Sequence, residues 1–320
     1  MKRIKPYIKQ NKQAETGLLC ARFARHYKNG KIMRGKMKRI VIAFIMIFSF
    51  TFCSKHIEAQ NQSQSDRSDS EPEPQLVRTT NDIVPNGLDE EHSIRYYMFD
   101  TGIAGPSIVI IGGVHGNEPA PPRAAMHIVD NFEFSCGRFL IIPGANPAAL
   151  AADTRTTPGY PIGDASDLNR QFPGNENGST TQRIAAALTG ILDDFNPDVV
   201  IDLHEAIMGY DWSTTGPMPH VIFFANPIGN AQGAEAANSV VEAINRTELV
   251  NNARNFRARR GGMAGLTSTE FSRRFNIPAF LIETGRPLSD DVNPLDLRIE
   301  QHLFLVNALV QLFANDCHPF

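Results

Sequence analysis

From about residue 93 the chain alternates between short, fully apolar runs and longer Ala-rich stretches of helical spacing. The runs are Ser107–Ile111 (SIVII), Arg138–Ile142 (RFLII), Val199–Leu203 (VVIDL), Val221–Ala225 (VIFFA) and Ala279–Ile282 (AFLI). Continuous apolar runs rich in β-branched residues suit strands buried on both faces, as in a mainly parallel sheet covered by helices. Helical spacing falls over Ala120–Phe132, Thr180–Phe195, Ala231–Asn245 and Pro294–Phe313, with Ser179 or Thr180 placed to cap the second. Strand and helix in alternation predict an α/β fold, an open doubly wound sheet, mainly parallel or mixed.

Upstream the pattern is different. Lys36-Met37-Lys38-Arg39 leads into Ile40–Phe52, thirteen apolar or small residues, and then into polar sequence. That is the plan of an export signal, too short for an ordinary membrane span of about 20 residues. Ile57-Glu58-Ala59 offers a cleavage site that leaves Gln60 as the new N-terminus; the alternative is a lipid on Cys53, with the large Phe52 before it as an argument against. Because a signal begins close to the N-terminus, Met37 competes with Met1 as the start. Residues 1–59 are therefore expected to be extension and export signal. Residues 60–92, acidic and proline-bearing with little to bury, are expected to form a disordered tether, leaving 93–320 as the catalytic domain.

Charge sharpens this division. Of the 31 Lys+Arg in the 320 residues, 13 lie before residue 40, and Lys55 is the last lysine; beyond residue 59, 17 arginines face 32 acidic residues, a net of −15. Such a surface repels nucleic acid and acidic lipid headgroups, so a nucleic-acid partner is not expected, nor any membrane contact beyond an N-terminal anchor. An exported, periplasmic or extracellular location is expected. Export would leave two of the four cysteines, Cys136 and Cys317, either paired in one disulfide or as separate buried thiols.

The chemistry-bearing residues follow the ends of three predicted strands: His115 and Glu118 after Ser107–Ile111, His204 after Val199–Leu203, and Glu283 after Ala279–Ile282. In open α/β sheets the carboxyl ends of the strands form the crevice where ligands bind. A hydrolytic zinc site commonly takes two histidines and one glutamate and leaves a fourth position for water, which fits one zinc on His115, Glu118 and His204. Taken singly, His115 is a loop histidine and Glu118 a helix-opening acid favoured by the helix dipole; Asp202-Leu203-His204 tips the balance toward the metal. Asp202 is two residues before His204, on the same face of a strand, and is either the carboxylate that orients a ligating imidazole or a strand end satisfied by backbone amides. Glu205 points elsewhere and is not counted as a ligand.

Glu283 ends an apolar strand, where a carboxylate is costly unless a partner or a task keeps it. Its expected task is to take a proton from the attacking water and pass it to the leaving group; the alternative is an ion pair with Arg286 or Arg274. Arg155 is assigned to the developing oxyanion, and Arg170 with Asn169 to a substrate carboxylate, which arginine binds through two parallel hydrogen bonds.

These segments, GGVHGNE, PGANPAAL, Thr154-Arg155, DLNRQFPG, DLHEA and IETG, stand in the order found in the succinylglutamate desuccinylase/aspartoacylase family of the zinc carboxypeptidase clan, which the chain resembles from about Ser107 to Pro287. The resemblance implies a carboxypeptidase-like α/β/α sandwich, zinc on His115, Glu118 and His204, the acid/base role on Glu283, and substrate contacts from Arg155, Asn169 and Arg170. Only 37 residues follow Glu283, so the C-terminal β domain that narrows the site in the better-known deacylases is expected to be missing and the cleft more open. No tyrosine follows Tyr210, which leaves the family's late tyrosine without a counterpart; Arg273, or equally Arg274, is placed to take a second substrate carboxylate. The expected activity is a zinc-dependent deacylase of N-acyl amino acids, cleaving an amide or ester in a small carboxylate-bearing substrate. The alternative is an exported metallocarboxypeptidase or amidase acting on peptides or peptidoglycan stems.

Overall fold

The computed structural model describes residues 75–131, 135–159, 163, 165–207, 220–225, 231–250, 255–286 and 293–314. Its frame is an eight-stranded sheet. All five predicted runs are strands: β3 (Ser107–Ile111), β4 (Arg138–Ile142), β5 (Val199–Ile207), β6 (Val221–Ala225) and β8 (Ala279–Arg286). Three more are β1 (Val77–Ile83), β2 (Ile94–Asp100) and β7 (Arg257–Arg260). The strand order is β1-β2-β4-β3-β5-β8-β6-β7. The central four, β4, β3, β5 and β8, run parallel; β2 and β6 flank them antiparallel, so the sheet is mixed but mostly parallel.

Among the described residues, six α-helices cover the two faces: α1 (Ala120–Asn131), α2 (Pro147–Ala152), α3 (Thr180–Phe195), α4 (Gln232–Ile244), α5 (Thr267–Phe275) and α6 (Leu295–Ala314). Side chains alternate across each strand. Ile108, Ile110, Ile201, Leu203, Phe280 and Ile282 pack against α1, α4 and α6. Val109, Ile111, Val200 and Ala279 pack on the other face with α3 and Phe271 of α5. This two-faced burial is why the central strands read as unbroken apolar runs.

Two features fix the segments that will matter. Helix α3 opens with a capping box, in which the Ser179 side chain accepts from the Gln182 amide and the Gln182 side chain from the Ser179 amide. The loops after β3 and β4 are joined through Gly112 N–H to Ile142 O and Ala145 N–H to Gly112 O, at 2.8 and 2.9 Å. Gly113 takes φ +69°, and a Cβ on Gly116 would lie 1.9 Å from the Ala149 carbonyl oxygen, so the sharp turn carrying His115 demands glycine at both places.

The folded part begins before residue 93. Val77–Ile83, inside the segment expected to be a tether, pairs with β2 along its whole length. As an edge strand it has one neighbour and largely exposed side chains, so its polar sequence VRTTNDI leaves no apolar run to read. The export signal at 40–52, Cys53 and the rest of the expected tether up to residue 74 lie outside the described residues. Cys136 is disulfide-bonded, while Cys317 lies outside the described residues. Among the described residues no helix is long and apolar enough to cross a membrane.

Loss of the capping box should be felt in stability alone. Ser179→Ala is expected to lower the free energy of unfolding by about 1 kcal/mol, measured by denaturant titration, with metal uptake unchanged.

Candidate metal centre

The carboxyl ends of β3, β5 and β8 bring the predicted residues to one place. Pairing of β5 with β8 sets His204 directly beside Glu283. The loop after β3 carries His115 and Glu118 to the same edge. His115, Glu118 and His204 are all buried, and one ligand atom from each can be chosen so that all lie within 4.8 Å of one another.

The imidazoles are held in a specific orientation. His115 sets Nδ1 2.7 Å from Glu118 Oε1 and Nε2 2.9 Å from Asp167 Oδ1. His204 sets Nδ1 3.1 Å from Glu118 Oε2 and Nε2 2.9 Å from Asp202 Oδ2. The two Nδ1 atoms are 3.2 Å apart. Carboxylates only accept hydrogen bonds, so each Nε2 carries a proton toward its outer carboxylate and each Nδ1 is turned to the shared point beside Glu118. Such a point requires positive charge, which two protons or one divalent cation can supply. Two histidines and one glutamate suit zinc, so the residues present fit the ion.

The electrostatics follow. Burial by itself would raise the Glu118 carboxyl, but the charges and hydrogen bonds of His115 and His204 hold it well below the usual carboxylate range. Burial also works against the protonated imidazoles, yet Glu118 and Asp167 raise His115, and Asp202 and Glu118 raise His204 further. Asp167, whose burial is opposed by the hydrogen bond and charge of His115 and by Arg155 and Arg170, is held low. Glu283 goes the opposite way. Burial first, then repulsion from Glu118, pushes it up to about 7 against the pull of His204, His115 and Arg155. Its Oε2 is shielded from solvent and has no hydrogen-bond partner among the described residues. It is not the ion-pair partner of Arg274, which binds Asp193.

Arg155 reaches across the cluster, donating to Glu118 Oε1 and to Asp167 Oδ2, both at 3.2 Å, with its side chain 41% exposed. Asn169 is buried; its Oδ1 accepts from Thr267 N–H and the Thr267 hydroxyl, and its amide nitrogen lies 3.3 Å from His204 Nε2. Arg170, half-buried, donates to the Asn169 carbonyl. Arg273 is not brought to the cluster: its guanidinium, 75% exposed on α5, is bound by Glu270. Glu205 points away from the shared point, as expected, but its backbone N–H donates to Glu118 Oε2 at 3.0 Å.

Two contributors to the cluster have only a faint trace in the sequence, or none. Asp167 stands within the DLNRQFPG segment as a carboxylate two residues before Asn169. Thr267 carries no signal, because only the fold brings it to Asn169.

A family model for the succinylglutamate desuccinylase/aspartoacylase catalytic domain matches residues 104–289. The N-alpha-acetyl-L-2,4-diaminobutyric acid deacetylase of Halomonas elongata is 38% identical over 102 residues, 31% of this chain; the match spans only 28% of that relative's length. Among solved structures, an aspartoacylase family protein from Mesorhizobium loti is similar with 25% identity and a TM-score of 0.53, over 77% of this chain and 69% of that one. The tripeptide-bound cell shape determinant protein Csd4 from Helicobacter pylori shares the fold at 16% identity and a TM-score of 0.53, over 76% of this chain and 57% of the other.

The cluster predicts a pH dependence. In protein stripped of metal by a chelator, the raised histidines contribute stability that is fully present below their unfolded pKa of about 6.5 and lost as pH rises through their folded values. The depressed carboxyls of Glu118 and Asp167 contribute stability present above about pH 4.5 and lost as pH falls through their folded values. Stripped protein should therefore be most stable between these limits. A divalent metal must displace both Nδ1 protons, so zinc affinity should rise by up to about a hundredfold per pH unit across the histidine range, measured by chelator competition.

Proposed function

Because this chain belongs to the succinylglutamate desuccinylase/aspartoacylase family, we propose that it is a zinc-dependent hydrolase that cleaves an amide or ester bond in a small carboxylate-bearing substrate, as an N-acyl amino acid deacylase does. The observation that carries this reading is the turn of two buried Nδ1 atoms and one carboxylate toward a single point, each imidazole held from behind by an aspartate. One zinc per chain, held by His115, Glu118 and His204, would supply Lewis acidity, polarising the scissile carbonyl and bringing the pKa of the attacking water near ~7.

The remaining steps belong to the chain's own residues. Glu283, beside His204 in the sheet and raised to about 7, is poised to take the water's proton and return it to the leaving nitrogen or oxygen. Arg155 has five donors and commits two of them to Glu118 and Asp167, which leaves N–H groups for the oxyanion that grows on the carbonyl oxygen. Arg170 and the amide end of Asn169 are assigned to the substrate carboxylate. Arg273, engaged with Glu270, has no part in this scheme.

The deacetylase likeness supports an acylated amino acid as substrate. A signal-like segment at 40–52 and a lysine-free acidic domain support an enzyme that works outside the cytoplasm, free or held by lipid on Cys53. The second reading keeps the same chemistry on a larger substrate, a peptide or peptidoglycan stem. It is supported by the signal-like segment at 40–52 together with the shared fold of Csd4, whose structure holds a tripeptide.

Turnover on matched N-acyl amino acids, C-terminal peptide substrates and stem peptides should be seen for the first class at least. Preference for peptides would move the enzyme to the second reading, and silence on all three with zinc bound would sink both. Glu283→Gln is expected to retain zinc while losing about 10²–10⁴ in kcat, whereas His115→Ala should lose both zinc and turnover. Undiminished turnover in Glu283→Gln would remove that residue from the mechanism.

A further inference from the structure

Behind the metal cluster, on the opposite face of the sheet, lies a buried ionic pair that the proposed chemistry does not use. Glu205 follows His204 on β5 and so points to the face covered by α1 and α6. Its Oε1 accepts from Arg298 Nε of α6, and both side chains are essentially without solvent contact, at 0% and 1% exposure. Its Oε2 accepts from Ala120 N–H, the first residue of α1, at 3.0 Å. Arg298 also donates through Nη1 to the Asn293 carbonyl, and Asn293 Nδ2 donates to the Gly285 carbonyl at 2.6 Å.

Each end of this network is one or two residues from a residue of the site. Ala120 follows Glu118, Glu205 follows His204, and Gly285 lies two residues beyond Glu283 on β8. Glu205 also meets Glu118 directly, through its backbone N–H. The network thus ties together three segments distant in sequence that carry two metal ligands and the proton-transfer carboxylate. Stability alone is a poor reason for it: desolvating two charges is expensive, and well-packed apolar side chains of similar volume commonly do as well or better. The rest of this face is mainly the apolar core of α1, α4 and α6, with a few other buried polar side chains, among them Gln301, which donates to Asn293 Oδ1, and His302 beside Thr284.

Resting on the hydrolase reading above, we propose that Glu205, Arg298 and Asn293 form a positioning device that sets Glu118, His204 and Glu283 at their working separations. None of the three touches the substrate or the reacting atoms. They act through backbone groups at the ends of α1, β5 and β8, which carry the ligands and the base.

The test compares purified full chain with the double variant Glu205→Leu/Arg298→Met and with Arg298→Lys, recording thermal unfolding, zinc affinity by chelator competition, and kcat and KM separately on an N-acyl amino acid. The double variant, which removes both charges together and so strands neither, is expected to melt within a few degrees of the parent. It should bind zinc about 10–100-fold more weakly, in the range of lost outer partners of metal ligands, and lose about tenfold in kcat with KM little changed. Unaltered zinc affinity and kcat in a folded double variant would overturn the proposal and leave the pair as packing. Should the double variant fail to fold, Arg298→Lys decides. It keeps the charge but not the two-pronged donor geometry, so weaker zinc binding at an unchanged melting temperature supports positioning, and unchanged binding overturns it. A parent chain that takes up no zinc would overturn the hydrolase reading and this proposal together, whereas a loaded parent with unaffected variants would overturn this proposal alone.

Discussion

Two imidazole nitrogens and a carboxylate, all buried, face one point from which water is largely kept. Groups that bear lone pairs cannot be crowded in this way without positive charge between them, and that demand organises the surrounding structure. Asp167 and Asp202 hold the outer nitrogens and so fix which nitrogen of each ring turns inward. Arg155 balances the carboxylates from the solvent side, and the Glu205 amide steadies Glu118 from behind. Exchange of two Nδ1 protons for one divalent ion leaves the charge of the cluster unchanged, so the same shell can support both occupants.

The sheet supplies the precision. Parallel β3, β5 and β8 end on one edge, and alternation along β5 sends Asp202 and His204 to one face and Leu203 and Glu205 to the other. Chemistry on the first face is thereby coupled to packing on the second through a single strand. Glu283 shows what a small change of surroundings does within this frame. A carboxylate one strand away from His204, with burial and Glu118 acting against its ionisation, sits near neutral where Glu118 itself is strongly acidic.

The central fold was legible because burial on both faces writes itself into composition. The runs at 107–111, 138–142, 199–203, 221–225 and 279–282 could not be solvated, and all are strands. Helix α3 was equally plain, since its cap and its apolar stripe agree. The strands at 77–83 and 257–260 left no comparable trace. They lie at the two edges of the sheet, expose most of their side chains, and owe their conformation to pairing with β2 and β6.

The sequence by itself determined which residues can do chemistry. His115, Glu118, His204 and Glu283 stand just past apolar strands, and glycines flank His115 at 112, 113 and 116 to permit its turn. Only the tertiary structure decided how those side chains are used. Which nitrogen turns inward, that Asp167 rather than Asp202 alone supports the pair, that Arg273 belongs to Glu270, and that Glu205 reaches 93 residues along the chain to Arg298 all depend on contacts between distant segments. Local sequence fixes the donor and acceptor capacity of each residue, whereas the partner that satisfies it in a dry interior is set by packing.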